Sequence, residues 1–231
     1  MVKVAVPKIL NLLRRTSTPN ISDALSLLNV KGVQCEGLLP LRPFKNRHEH
    51  IAGPAVTARF LPSRGTGREN TRPKFIEVVR NAPRGSVIAF EGASISQRAS
   101  ELAVRVGLEA SVCDTATRDI DEVIELEFPV FCPFGRMGAK TESYLSTMEC
   151  VQVNTPIHMG LHGGPYHYWL GAQIRPRDII VGDNNGVIVV PKEVLSKMPD
   201  ALCKVDAIEE RLGASGPKNR NRPRIRIRDT K

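Results

Sequence analysis

The sequence predicts an α/β fold in which a mixed sheet is flanked by helices, and three observations carry that expectation. Between Ser86 and Phe131, short apolar runs alternate with helical patterns, the signature of βαβ units with parallel strands. Beyond Cys150 the apolar runs follow one another without helical patterns between them, so that half is antiparallel or barrel-like. From Lys192 to Leu212, Val194, Leu195, Met198, Leu202, Val205, Ile208 and Leu212 recur on one face, which predicts a long closing helix.

Taken in order, Pro7 to Arg15 places leucines and an isoleucine at helical spacing. Thr18 to Ala24 opens a second helix, with Thr18 or Ser22 as cap and Pro19 in the first turn. Gly53 to Phe60 reads as a strand, Leu61 to Arg72 as a polar loop, and Pro73 to Ala82 as a helix. Strands at Ser86–Phe90, Ala110–Cys113 and Pro129–Phe131 then alternate with helices at Gln97–Val106 and Ile120–Leu126. Further strands are expected at Cys150–Val153, Asp178–Val181 and Gly186–Val190, with Asn184-Asn185-Gly186 as a hairpin turn between the last two.

The chain has 231 residues, of which 41% are hydrophobic and 25% charged, enough apolar material for one sizeable core. A single domain over residues 1–213 and a basic tail over 214–231 are expected. Seven basic residues and one acid fall in the tail, so it holds +6 of the net +9 and leaves the rest at +3. Such a tail reads as a solvated arm or an added edge strand that could touch RNA or an acidic protein. No apolar run reaches the roughly 18–20 residues of a membrane span, and the N-terminus lacks a signal-peptide pattern, so a cytoplasmic protein without a membrane partner is expected. The five cysteines are widely spaced with no CxxC pair, which predicts reduced, buried thiols.

Chemistry is expected at the carboxyl ends of the parallel strands. Gly92 to Ala99 is a small-residue loop leading into the helix at Gln97, and the free N–H groups of a first helical turn attract anions. Arg118 ends the next strand segment and can grip a carboxylate with two parallel bonds. Asp119 beside it is a hard oxygen donor suited to Mg²⁺ or a similar cation. Together they fit an α-keto acid: amides and Arg118 on the carboxylate, a cation near Asp119 on the keto oxygen.

The ordered motifs STPNISDAL, GPAVTARF, GLEASVCDTATRD, EFPVF and GDNNGVIVVP, spread over about residues 16 to 212, resemble one family. It contains the regulator of ribonuclease E activity A (RraA) and the 4-hydroxy-4-methyl-2-oxoglutarate / 4-carboxy-4-hydroxy-2-oxoadipate aldolases. The resemblance implies a swivelling ββα-type fold and a homotrimer or dimer of trimers with sites at subunit interfaces. It also implies a class II pyruvate aldolase, dependent on Mg²⁺ or Mn²⁺, with oxaloacetate decarboxylase side activity. By the same resemblance Arg118 binds pyruvate, Asp119 carries the metal through water, and Ser96, Gln97, Arg98 and Ala99 form the substrate loop. Active aldolases have an acid where this chain has Gln97, and an Asp-Gly where it has Asp114-Thr115. A carboxamide cannot take a proton at neutral pH. Two readings stay open: a metal-dependent lyase with Arg118, Asp119 and Gln97 at its centre, and a non-catalytic RraA-type regulator of a ribonuclease partner.

Other segments receive plainer readings. His158 to Trp169 holds three of the five histidines and the sole Trp, and its glycines and Pro165 oppose a helical zinc site, so a lid or intersubunit contact is expected. Asp183 and Asn185 read as turn residues. Glu209 or Glu210 stands about where the family supplies an acid to a neighbouring subunit. His48 and His50 read as surface residues, and Ser94 and Ser96 have no evident His partner in sequence.

Overall fold

The computed structural model describes residues 6–46, 50–63, 72–133, 148–160 and 171–212. The expected loop residues beyond Ser63, His48, most of the His-rich segment and the basic tail lie outside them. Helices α1 (Val6–Leu13) and α2 (Thr18–Leu27) come first, followed by the short strands β1 (Gln34–Cys35) and β2 (Leu38–Pro40). The long strand β3 (Ile51–Pro62) starts an alternating run: α3 (Arg72–Asn81), β4 (Val87–Glu91), α4 (Gln97–Val106), β5 (Ala110–Cys113), α5 (Ile120–Glu125) and β6 (Val130–Pro133). Then come β7 (Met148–Val153), β8 (Ile157–Met159), β9 (Ala172–Ile174), β10 (Ile179–Asp183), β11 (Gly186–Val190) and α6 (Met198–Arg211).

Strands β3 to β6 pair in parallel, as the alternation predicts. The full order is β1-β11-β10-β3-β4-β5-β6-β2, with β7 added antiparallel to the outer half of β3, while β8 and β9 form a separate ribbon. All pairings outside the central four strands are antiparallel. Only Glu36 and Gly37 separate β1 from β2, so a tight turn brings the two ends of the strand path together. Across the curved sheet Phe131 of β6 packs on Gly182 of β10; a Cβ at Gly182 would lie 2.6 Å from the ring.

Side chains alternate between two apolar layers, as strand geometry requires. Val87, Ala89, Ala110 and Val112 face a layer shared with α1, α2 and α6. Ile88, Phe90 and Cys113 face the layer under α3, α4 and α5, where Phe60, Phe75 and Phe90 cluster with ring centroids 5.0–5.8 Å apart.

Several expectations change. The closing helix begins at Met198, after a turn and a 3₁₀ segment, Leu195–Lys197, because Pro199 is tolerated only in a first turn. Ser17, rather than Thr18 or Ser22, is the N-cap of α2. Thr18 is instead held by Asp183, whose carboxylate accepts from its N–H and its hydroxyl at 2.8 Å each. Leu61 and Pro62 continue β3 instead of starting the loop. The His50 side chain is only 3% exposed, with Nε2 3.8 Å from the Asp183 carboxylate, so its imidazole is buried rather than on the surface. His158 sits on β8. Among the described residues no helix is long and apolar enough to cross a membrane.

Candidate functional site at the strand ends

The loops leaving β4 and β5 run side by side in a fixed register. Four of the hydrogen bonds that join them link residues 22 apart in sequence. The Gly92 amide donates to the Asp114 carboxylate at 2.7 Å. The Ser94 hydroxyl donates to the Ala116 carbonyl at 2.9 Å, and the Thr117 hydroxyl donates to the Ile95 carbonyl. Last, the Gln97 amide donates to the Asp119 carboxylate at 3.4 Å, a long and weak bond. The parallel strands thus hand their alignment to the loops, and the first turn of α4 arrives over Asp119.

Local chemistry explains why this sequence takes that path. Gly92 has φ 80°, and a Cβ there would collide with the Phe60 carbonyl, so only glycine suits the exit from β4. Asp114 is 5% exposed and returns its own amide to the Phe90 carbonyl at 3.3 Å, closing a staple between the loops. Beneath them, the Cys113 and Cys132 thiols accept from the backbone amides of Ile95 and Thr117. Burial pushes Cys113 up to about 12 and Cys132 up to about 11, so both stay protonated acceptors.

Asp119 adopts left-handed backbone angles, φ 58° and ψ 46°, which Asp tolerates better than most residues at modest cost. It is the N-cap of α5, yet its side chain makes no capping bond. The carboxylate turns instead toward α4 and Arg118, whose Nε donates to it at 3.0 Å. These side chains are 35% and 27% exposed, so the pair is open to solvent and easily rearranged.

Of the sequence-predicted residues, Arg118, Asp119 and Gln97 come together. Ser96 caps α4 through its backbone only, leaving the first-turn amides of Gln97, Arg98 and Ala99 without its hydroxyl. Ala99 is buried and can offer a ligand only its N–H, whereas Arg98 is exposed. Ser94 is tied to the loop register, and Asp183 and Asn185 to the hairpin and α2. Glu209 accepts from Asn20 of α2, and α6 packs in the layer opposite α4.

Hard oxygen donors are present for a cation: the Asp119 carboxylate and the Gln97 carboxamide oxygen. Among the described residues no group of three or more His, Cys, Asp or Glu could hold a metal. A cation held there would meet one carboxylate and otherwise keep its waters. Two clefts, of about 340 and 490 Å³, lie elsewhere: one beside Phe44 and Glu127, the other beside Ser22 and Glu36. Neither includes Arg118 or Asp119, whose side chains are part-exposed. Sequence reasoning missed Asp114, the two thiols and Glu101, which accepts from the Gln97 carboxamide at 3.2 Å. No local pattern marks the first of these, whose partner lies 22 residues away.

Comparisons with known proteins agree with this fold. Protein DlpA of Legionella pneumophila is 28% identical over 216 residues, which cover 90% of this chain and 31% of DlpA. The chain thus spans roughly a third of that relative's length. MJ0644 of Methanocaldococcus jannaschii is 26% identical over 92% of this chain and 90% of its own. A Halalkalibacterium halodurans protein, provisionally named a 4-hydroxy-4-methyl-2-oxoglutarate aldolase, is 28% identical over 78% of this chain and 74% of its own. Among solved structures, Streptomyces coelicolor RraAS2, described as an unusual member of the RNase ES inhibitor RraA protein family, has a TM-score of 0.67 at 20% identity, covering 91% of this chain and 96% of its own. A Pseudomonas syringae protein gives a TM-score of 0.72 at 21% identity, covering 94% and 93%. At these identities the solved structures establish a shared fold alone. The family profile described as RraA-like, Aldolase/RraA, matches residues 18–189, most of the chain, and the protein therefore belongs to the RraA-like family.

Proposed function

We propose that this protein is a divalent-metal-dependent lyase acting on pyruvate-derived keto acids, by aldol cleavage of the 4-hydroxy-4-methyl-2-oxoglutarate type, oxaloacetate decarboxylation, or both. One observation carries the reading: the 22-residue loop register that sets the amino end of α4 over Asp119, beside Arg118.

The substrate carboxylate would sit at the first turn of α4, held by the amides of residues 96–99 and by the Arg118 guanidinium. To reach it, Arg118 releases Asp119, at the small cost of an exposed ion pair. A Mg²⁺ or Mn²⁺ ion bound at Asp119 would supply Lewis-acid polarisation of the keto oxygen. Negative charge developing on that oxygen faces the positive end of the α4 dipole, which favours an enolate over the parent ketone. Gln97 donates and accepts hydrogen bonds there but moves no proton. The part-exposed Arg118–Asp119 pair also suits assembly as a homotrimer or dimer of trimers, in which a neighbouring copy would wall the site.

Pyruvate release from oxaloacetate and from 4-hydroxy-4-methyl-2-oxoglutarate, with Mg²⁺ or Mn²⁺ and with a chelator, tests this reading. Metal-dependent release is expected, and Gln97→Asp should raise aldol cleavage by restoring a group that can carry a proton. Equal rates with and without chelator would refute it. The alternative, an RraA-type regulator without catalysis, draws support from Gln97 itself, since the chain has lost a proton carrier at that place. In that case the protein would bind a ribonuclease assembly through its surface and basic tail, and capture of such a partner would weaken when residues after Gly213 are removed.

A further inference from the structure

Gln97 makes two different bonds. Its backbone amide points to the Asp119 carboxylate, while its side-chain Nε2 donates to Glu101 Oε1 at 3.2 Å, one helical turn along α4. An ionised carboxylate can only accept, so Glu101 admits a single orientation of the amide plane: Nε2 toward Glu101, Oε1 on the opposite edge. That edge is what Gln97 leaves for a ligand. The waters around a hydrated cation are donors, and they need an acceptor oxygen, whereas an NH₂ group in that place would oppose them.

We infer that Glu101 is a positioning residue: by accepting from Nε2 it fixes the Gln97 carboxamide with its carbonyl oxygen on the opposite edge, so that the first turn of α4, whose Gln97 amide reaches Asp119, offers an acceptor oxygen to the waters of a hydrated divalent cation. The inference rests on the metal-dependent reading above. It also gives a physical reason why a carboxamide can stand where an acid is expected: the oxygen is kept and the proton-carrying capacity is given up. Glu101 acts through Gln97 and touches neither substrate nor metal.

The test measures Mn²⁺ binding directly, by the loss of the free-ion EPR signal on titration, for wild type, Glu101→Ala and Glu101→Gln. Loss of one hydrogen bond that fixes a ligand corresponds to about three- to tenfold weaker binding, and that is the change expected for Glu101→Ala. Glu101→Gln can accept from Nε2 or donate to Oε1, so about half of the paired orientations stay correct and binding should remain within about twofold of wild type, whereas a purely electrostatic pull by the Glu101 charge would be lost equally in both variants. The Gln97 side-chain NH₂ resonances, recorded without metal, should lose their hydrogen-exchange protection in Glu101→Ala and keep part of it in Glu101→Gln. Binding unchanged in Glu101→Ala, or equally weakened in both variants, overturns the inference while leaving the lyase reading intact. A wild-type protein with no Mn²⁺ affinity overturns both.

Discussion

Removing the Asp114 carboxylate should loosen the fold and the site together, by an amount that can be worked out. Its Oδ1 accepts the Gly92 amide at 2.7 Å, a short, charge-assisted bond made by a side chain 5% exposed. Such a bond is worth about 1.5–3 kcal/mol, and deleting the acceptor also leaves a part-buried amide unsatisfied. Asp114→Ala should therefore cost about 2–3 kcal/mol. For a chain of 231 residues each kcal/mol corresponds to about 2–4 °C, so Tm should fall by about 4–12 °C. Asp114→Asn keeps a neutral acceptor oxygen and should lose only about 1 kcal/mol. Urea denaturation followed by circular dichroism, compared at constant m-value, reads both numbers. If Asp114→Ala lies within about 0.5 kcal/mol of wild type, or Asp114→Asn is as harmful as the alanine, the staple does not hold the loops as described.

Other perturbations probe the same framework. Gly92→Ala forces a Cβ into the Phe60 carbonyl at φ 80° and should cost more than about 2 kcal/mol by denaturation. Gly182→Ala pushes the Phe131 ring and should destabilise by about 1–3 kcal/mol, with relief from Phe131→Leu in the double variant. Of the five cysteines only Cys203 is part-exposed, so a thiol reagent should label it in the native protein and reach Cys35, Cys113, Cys132 and Cys150 only after unfolding. Burial raises the Cys113 and Cys132 thiols to about 12 and about 11 from an ordinary 9.0. Only the unfolded chain then sheds those protons just above pH 9, so stability should fall as pH rises from about 9 toward 11, a slope that Cys113→Ala reduces.

How much was legible in the sequence depended on whether a boundary carries its own chemical mark. Helix α4 was read at both ends, because Ser96 precedes it and Gly107, at φ 77°, terminates it. Strand β5 was read equally well, as a compact apolar run. Strands β1, β2, β8 and β9 have two or three residues each and exist through pairing with distant partners, so local pattern gave no signal. The closing helix was read too long because its apolar periodicity continues through Pro199, where backbone chemistry overrides it. At the site, Arg118 and Asp119 stand out as charged residues in a run of small ones. The buried role of Asp114 does not, because an Asp after a strand has many uses and its partner is 22 residues away. His50 misled for a related reason: the residues just before it are polar, and the side chain beside its buried imidazole is that of the distant Asp183.

The most direct test of the proposed chemistry follows the methyl protons of pyruvate by NMR in D₂O, with Mg²⁺ or Mn²⁺, for wild type and for Arg118→Ala. Enolisation at the α4 terminus predicts metal-dependent exchange that falls at least about 100-fold in Arg118→Ala, as expected when a group gripping the substrate is removed. No metal-dependent exchange in the wild type, or exchange that survives Arg118→Ala, would contradict the lyase reading.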